Sequence, residues 1–186
     1  VAVADDAASP AGVVERLHGA LLDSMKSGKT GNVDERRKRL EPVIKGAFDL
    51  TNMARISTGV AWQKMSDDDR TRIVSAFTDW TVASYASNFK EWDGDAFKTK
   101  GEKADAKGNV VVETALVPKS DPPVTFNYRL RKVDDGSWRI VDIYLEGAIS
   151  QIAMHRAEFA SALGQGGVDN LVKHMKDLTA QALKGV

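Results

Sequence analysis

The sequence predicts an α+β fold, a curved antiparallel sheet of about four strands packed against N- and C-terminal helices. Three observations predict it. Apolar residues recur at helical spacing from Ser9 to about Phe89. From about residue 96 the period becomes that of strands, broken by turn residues. After Gly147 the helical period returns and holds to about residue 184. Helices, then a meander, then helices again place the helices on one side of the sheet.

Taken in order, Ser9-Pro10 opens the first helix, with Ser at the N-cap and Pro at the first helical position. Its apolar face is Val13, Val14, Leu17, Leu21 and Met25. The Gly-rich "KSGKTGN" ends it, and "VDERRKRLEPVIKGAF" is a second helical stretch that Pro42 is expected to disturb. Its run from Glu35 to Arg39 reads as a solvated helix face. A short helix follows Phe48, breaks at Gly59 and leads to a segment carrying Trp62. "SDDD" at 66–69 is a strong start: Ser66 caps, Asp69 completes the box, and three acids oppose the helix dipole. The helix it opens presents Ile73, Val74, Phe77 and Trp80 on one face.

"FKTKGEKADA" reads as a polar edge strand, and "NVVVETALV" is the next strand. "VTFNYRLRKV" alternates cleanly, with Val124, Phe126, Tyr128 and Leu130 on one face and Thr125, Asn127, Arg129 and Arg131 on the other. After the "DDGS" turn, "WRIVDIYL" is apolar on both faces. Strict alternation there puts Asp142 with Trp138, Ile140 and Tyr144, and Val141 with Ile143 and Leu145. Helices are expected from about Ala148 to Leu163 and over 168–184, separated by "GQGG", which reads as a C-cap and turn.

The 186 residues fit a single domain over 9–186 behind a short leader, 1–8. Lys+Arg and Asp+Glu are both 26, which argues against a general nucleic-acid binder. No apolar run approaches the length of a transmembrane helix. With no Cys, disulfides, thiolate metal sites and Cys nucleophiles are excluded. Ala2-Val3-Ala4 followed by two acids fits a signal-peptidase site, so export with a cleaved signal peptide is expected.

Catalytic chemistry is sparse. His18, His155 and His174 fall on different helices without partners at metal-ligand spacing, and surface positions are expected for them. Ser150 follows no nucleophile-elbow motif. Asp142, a carboxylate on an apolar face, is either a raised-pKa acid or base or a rim carboxylate hydrogen-bonded to its neighbours. No second acid or base is identifiable beside it, so no catalytic residue is assigned and no cofactor or metal is expected.

Three stretches resemble a known family. "FDLTNMAR…GVAWQKMSDDDRTRIVSAFTDWTVASYASNF", "GSWRIVDIYLEGAIS" and "RAEFASAL…GGVDNLVKHM" are similar, in order, to the MlaC-type periplasmic lipid carriers, the toluene-tolerance family of ABC-transporter auxiliary proteins. One departure is the longer spacing in "EGAISQIAMHRAEF", which resembles the hopanoid-associated HpnM branch. The resemblance implies an NTF2-like fold enclosing an apolar cavity. It further implies a periplasmic protein that shuttles a hopanoid or phospholipid between an inner-membrane transporter complex and an outer-membrane donor or acceptor. A monomer touching membranes only peripherally is the corresponding expectation.

On that reading the lipid-lining residues are Phe77, Trp80, Phe126, Tyr128, Leu130, Val141, Ile143, Leu145, Ile149 and Ile152. Each sequestered CH₂ is worth about 0.8 kcal/mol, so affinity needs no catalytic group. The same residues would equally form a solid core. A small NTF2-like enzyme using Asp142 as base, and a ligand-free adaptor, remain open beside the carrier.

Overall fold

The computed structural model describes residues 9–28 and 31–184, so the leader and the export signal expected within it lie outside the described residues. Helix α1 runs Pro10–Ser27, capped by the Ser9 side chain, which accepts from the Gly12 amide. Helix α2 runs Val33–Ala47 and continues past Pro42, which lies inside it. Helix α3 is Leu50–Thr58, and a 3₁₀ turn, Gly59–Lys64, carries Trp62. Helix α4, Asp67–Asn88, begins with the Asp69 amide donating to Ser66 Oγ.

The sheet has five antiparallel strands in sequence order: β1 Ala96–Ala104, β2 Val110–Val117, β3 Val124–Lys132, β4 Trp138–Leu145 and β5 Ile149–Ser150. Helix α5, Gln151–Gly164, and helix α6, Gly167–Lys184, close the chain. Helices from both ends of the chain share one core with the sheet. Leu17, Leu21, Ile44, Phe48, Phe77, Leu130, Ile140, Phe159 and Leu171 are all fully buried in it. Each such side chain contributes about 1.5–3 kcal/mol by leaving water.

Two expectations are corrected here. Arg36 does not belong to a solvated face. It is buried, its Nε donates to the Ala86 carbonyl at 3.1 Å and its Nη1 to Gly31. Ala86 lies in the last turn of α4, where carbonyls lack helical partners, so Arg36 satisfies a helix end and complements its dipole.

The second correction concerns β4. Its register against β3 shifts between Arg129 and Leu130: Arg129 faces Asp142, whereas Leu130 faces Ile140, which leaves Val141 as an extra residue. This β-bulge resets the alternation. Residues directly opposite each other share a face. Ile140, Ile143 and Leu145 therefore join Leu130, Tyr128 and Phe126 on the helix-facing side, while Asp142 and Tyr144 turn away with Arg129 and Asn127. Asp142 is not on the face of Trp138 and Ile140, and Val141, though buried, stands outside the continuous core.

Candidate functional site

After β4 the chain turns sharply at Glu146-Gly147, both at positive φ (52° and 77°), which places β5 against β4 before α5 begins. The expected strand-to-helix corner is thus a tight turn and a two-residue strand, and α5 starts at Gln151. Ile149 lies on β5 and is 47% exposed, so it does not face the interior with Ile152, which is buried.

Asp142 is tied into this junction. Its Oδ1 accepts from the amides of Ile143 at 2.8 Å and Ile152 at 3.1 Å, and its Oδ2 accepts from the Ser150 hydroxyl. Ser150 Oγ in turn accepts from the Ala153 amide. The carboxylate and the hydroxyl together satisfy amides at the start of α5. The hydrogen-bonded alternative for Asp142 is the one the structure contains.

Beside this junction lies a pocket of about 420 Å³ between α4 and the sheet. Its apolar surface comes from Phe89, the C-cap residue of α4, Leu116 of β2, Phe126 of β3 and Ile143 and Leu145 of β4. Ser84, Tyr85 and Asn88 of α4, Tyr128 of β3 and Gln151 of α5 supply polar groups. The volume lies within the roughly 300–1,000 Å³ usual for small-molecule sites. A larger depression, about 570 Å³, includes Lys45, Asp49, Arg131 and Arg139, but its cations are engaged: Arg131 pairs with Asp49 at 2.9 Å and Arg139 donates to the Lys45 carbonyl.

The structure thus brings Phe126, Tyr128, Ile143 and Leu145 of the ten sequence candidates to one pocket. Leu130 and Ile152 are core residues. Phe77 and Trp80 lie in a separate aromatic cluster with His155 and Phe159, where Trp80 and His155 sit 4.8 Å apart. The sequence reading missed Tyr85, Phe89, Leu116 and Gln151. The spacing of Tyr85, Asn88 and Phe89 at the end of α4 carried a helical signal for the first and last of these.

His18 is a further correction. It is buried, not on the surface, and stacks on Phe97 with ring centroids 4.0 Å apart. Its Nε2 shares a 3.0 Å hydrogen bond with the Tyr128 hydroxyl, directly behind the pocket wall. Burial lowers its pKa from 6.5 to about 4. His174 meets Glu158 at 2.6 Å. Among the described residues no group of three His, Cys, Asp or Glu could hold a metal ion.

A pH dependence follows from His18. The unfolded chain takes up a proton near pH 6.5, and the folded chain resists until about pH 4. Stability is therefore full above 6.5 and falls through that window by about 1.4 kcal/mol per pH unit from this group. The urea midpoint should drop between pH 7 and pH 4.5, and His18→Gln should flatten the slope. An unchanged slope in that variant would assign the pH dependence to other groups.

The family described as MlaC protein matches residues 15–177 of the chain. A solved structure, the phospholipid-binding protein of Ralstonia solanacearum in complex with a phospholipid, is similar at 22% identity and a TM-score of 0.80, covering 96% of this chain and 99% of that one. No curated protein matches significantly.

Proposed function

The chain belongs to the MlaC family, and from that membership we propose that it is a lipid-binding and transfer protein rather than an enzyme. The observation that carries the reading is the pocket between α4 and the sheet, apolar along Phe126, Ile143 and Leu145. The Ralstonia solanacearum protein of the same fold is described as phospholipid-binding, which supports a membrane lipid as ligand.

In finer terms the protein works in the periplasm of a Gram-negative cell. It shuttles its lipid between an inner-membrane transporter complex and an outer-membrane partner, as a monomer that touches membranes peripherally. The spacing in "EGAISQIAMHRAEF" supports the HpnM branch and a hopanoid cargo ahead of a phospholipid. At about 420 Å³ the pocket suits a single chain or ring body of such a lipid more than a whole two-chain lipid with its headgroup. Asp142 acts as a cap within this reading, not as a base.

The test is native mass spectrometry of protein purified without detergent, followed by solvent extraction. The expected result is one lipid of defined mass per chain, with the Asp142→Asn variant within about twofold of that occupancy after a modest stability loss. Protein that carries no lipid and takes none from vesicles would favour the adaptor. A turnover on an apolar substrate that vanishes in Asp142→Asn would favour the enzyme.

A further inference from the structure

The pocket holds a feature that an acyl chain leaves unused. Ser84, Tyr85 and Asn88 on α4, with Gln151 on α5, offer hydroxyl and amide groups to its interior. Among the described residues, no hydrogen bond engages any of these four side chains. On the same helix the Thr78 hydroxyl donates to the Val74 carbonyl at 2.8 Å and the Thr81 hydroxyl to Phe77 at 2.7 Å. Tyr128, across the pocket, already shares its hydroxyl with His18.

Half-buried polar groups in folded proteins find partners. Ser84, Tyr85 and Gln151 are half-buried and Asn88 is exposed, and the four set uncharged donors and acceptors around one apolar space, where a bound molecule takes the place of solvent. The described lining residues include no Lys, Arg, His, Asp or Glu. An ionised phosphate or carboxylate drawn inside would meet no counter-charge, at heavy desolvation cost. An uncharged hydroxyl or amide, which both donates and accepts, would find both kinds of partner at once, since Asn and Gln side chains supply both.

Resting on the lipid-binding reading, we propose that Tyr85, Asn88 and Gln151 are specificity-determining residues that select an amphiphile carrying an uncharged hydrogen-bonding group next to its apolar body. Charged headgroups are left outside the mouth. Ser84, one position from Tyr85 on the same helix wall, supports the contact.

The experiment displaces the uncharged dye phenylnaphthylamine from the full chain with three amphiphiles sharing one palmitoyl chain. These are monopalmitoylglycerol, methyl palmitate and ionised palmitate, each below its micelle threshold. Monopalmitoylglycerol should act at about a tenfold lower concentration than methyl palmitate, the gain expected from one or two net hydrogen bonds, and palmitate should be the weakest. Tyr85→Phe, which deletes one oxygen, should cut that preference about threefold, and combining it with Asn88→Leu and Gln151→Leu should bring it within twofold. Methyl palmitate should bind all variants as it binds the parent, which also reports that they fold.

Equal or tighter binding of palmitate, or a preference that stays near tenfold in the triple variant, would overturn the selection while leaving lipid binding intact. Failure of all three amphiphiles to displace the dye would overturn the lipid reading itself, and the selection with it.

Discussion

Leu145→Trp is expected to strip the protein of lipid while barely moving its thermal midpoint. Leu145 is half-buried, pairs across the sheet with Phe126 and lines the pocket. An indole there enters open space and removes the room for at least two CH₂ groups. At about 0.8 kcal/mol each, occupancy should fall at least roughly tenfold. Leu130 lies on the same face two rungs along but is fully buried, so Leu130→Trp should do the opposite. Overpacking there costs about 1–3 kcal/mol, and lipid bound per folded chain stays constant. Thermal midpoint and extracted lipid, measured on both variants, check the pair. Loss of stability without loss of lipid in Leu145→Trp would show that the pocket is not where lipid resides.

Gly28→Ala should be among the most damaging single-methyl changes in the chain. Its φ of −58° is ordinary, so conformational freedom is not why glycine stands there. The reason is proximity: a Cβ would fall 1.4 Å from the Lys90 carbonyl oxygen and 2.5 Å from its carbon. Both are backbone atoms, so the end of α1 and the segment after α4 would have to separate. The Ser24 Oγ bond to the Phe89 carbonyl, 2.9 Å, spans the same contact and would go with it. A loss of about 2–4 kcal/mol is expected in urea unfolding. Gly19→Ala is the control: it adds the same methyl to the same helix, where a Cβ meets nothing within 4 Å, and should stabilise by about 0.5–1 kcal/mol. If both variants gave the same sign, the close approach at Gly28 would be disproved.

Much of this architecture was legible because the local chemistry agreed with the fold. Ser9 and Ser66 cap the helices they announce. The alternation of β3 put Phe126, Tyr128 and Leu130 on the face that is in fact covered. Failures occurred where one residue changed the count. In β4, apolar side chains on both faces concealed the bulge at Val141, so Asp142 was put on the wrong side. Ile149 carried the helical pattern but lies in a two-residue strand, because the turn at Glu146-Gly147 delays α5. His18 read as a surface residue because its partners, Tyr128 and Phe97, are remote in sequence. The distinction between core and pocket was not legible at all. Leu130 and Leu145 share residue type and alternation, and only the tertiary packing separates them, a closed core around Leu130 and an open pocket beside Leu145.

The first strand bears on how the chain behaves among its own copies. β1 is an outer strand of the sheet, and such a strand presents backbone groups that another chain can extend into a shared sheet. Lys98, Lys100, Glu102 and Lys103 crowd that border, and its pairing slips between Thr99 and Gly101. Charge and irregularity together make it a poor template for strand addition. No residue of β1 lines the pocket, so this margin stays inhospitable to polymerisation whether or not the pocket is filled.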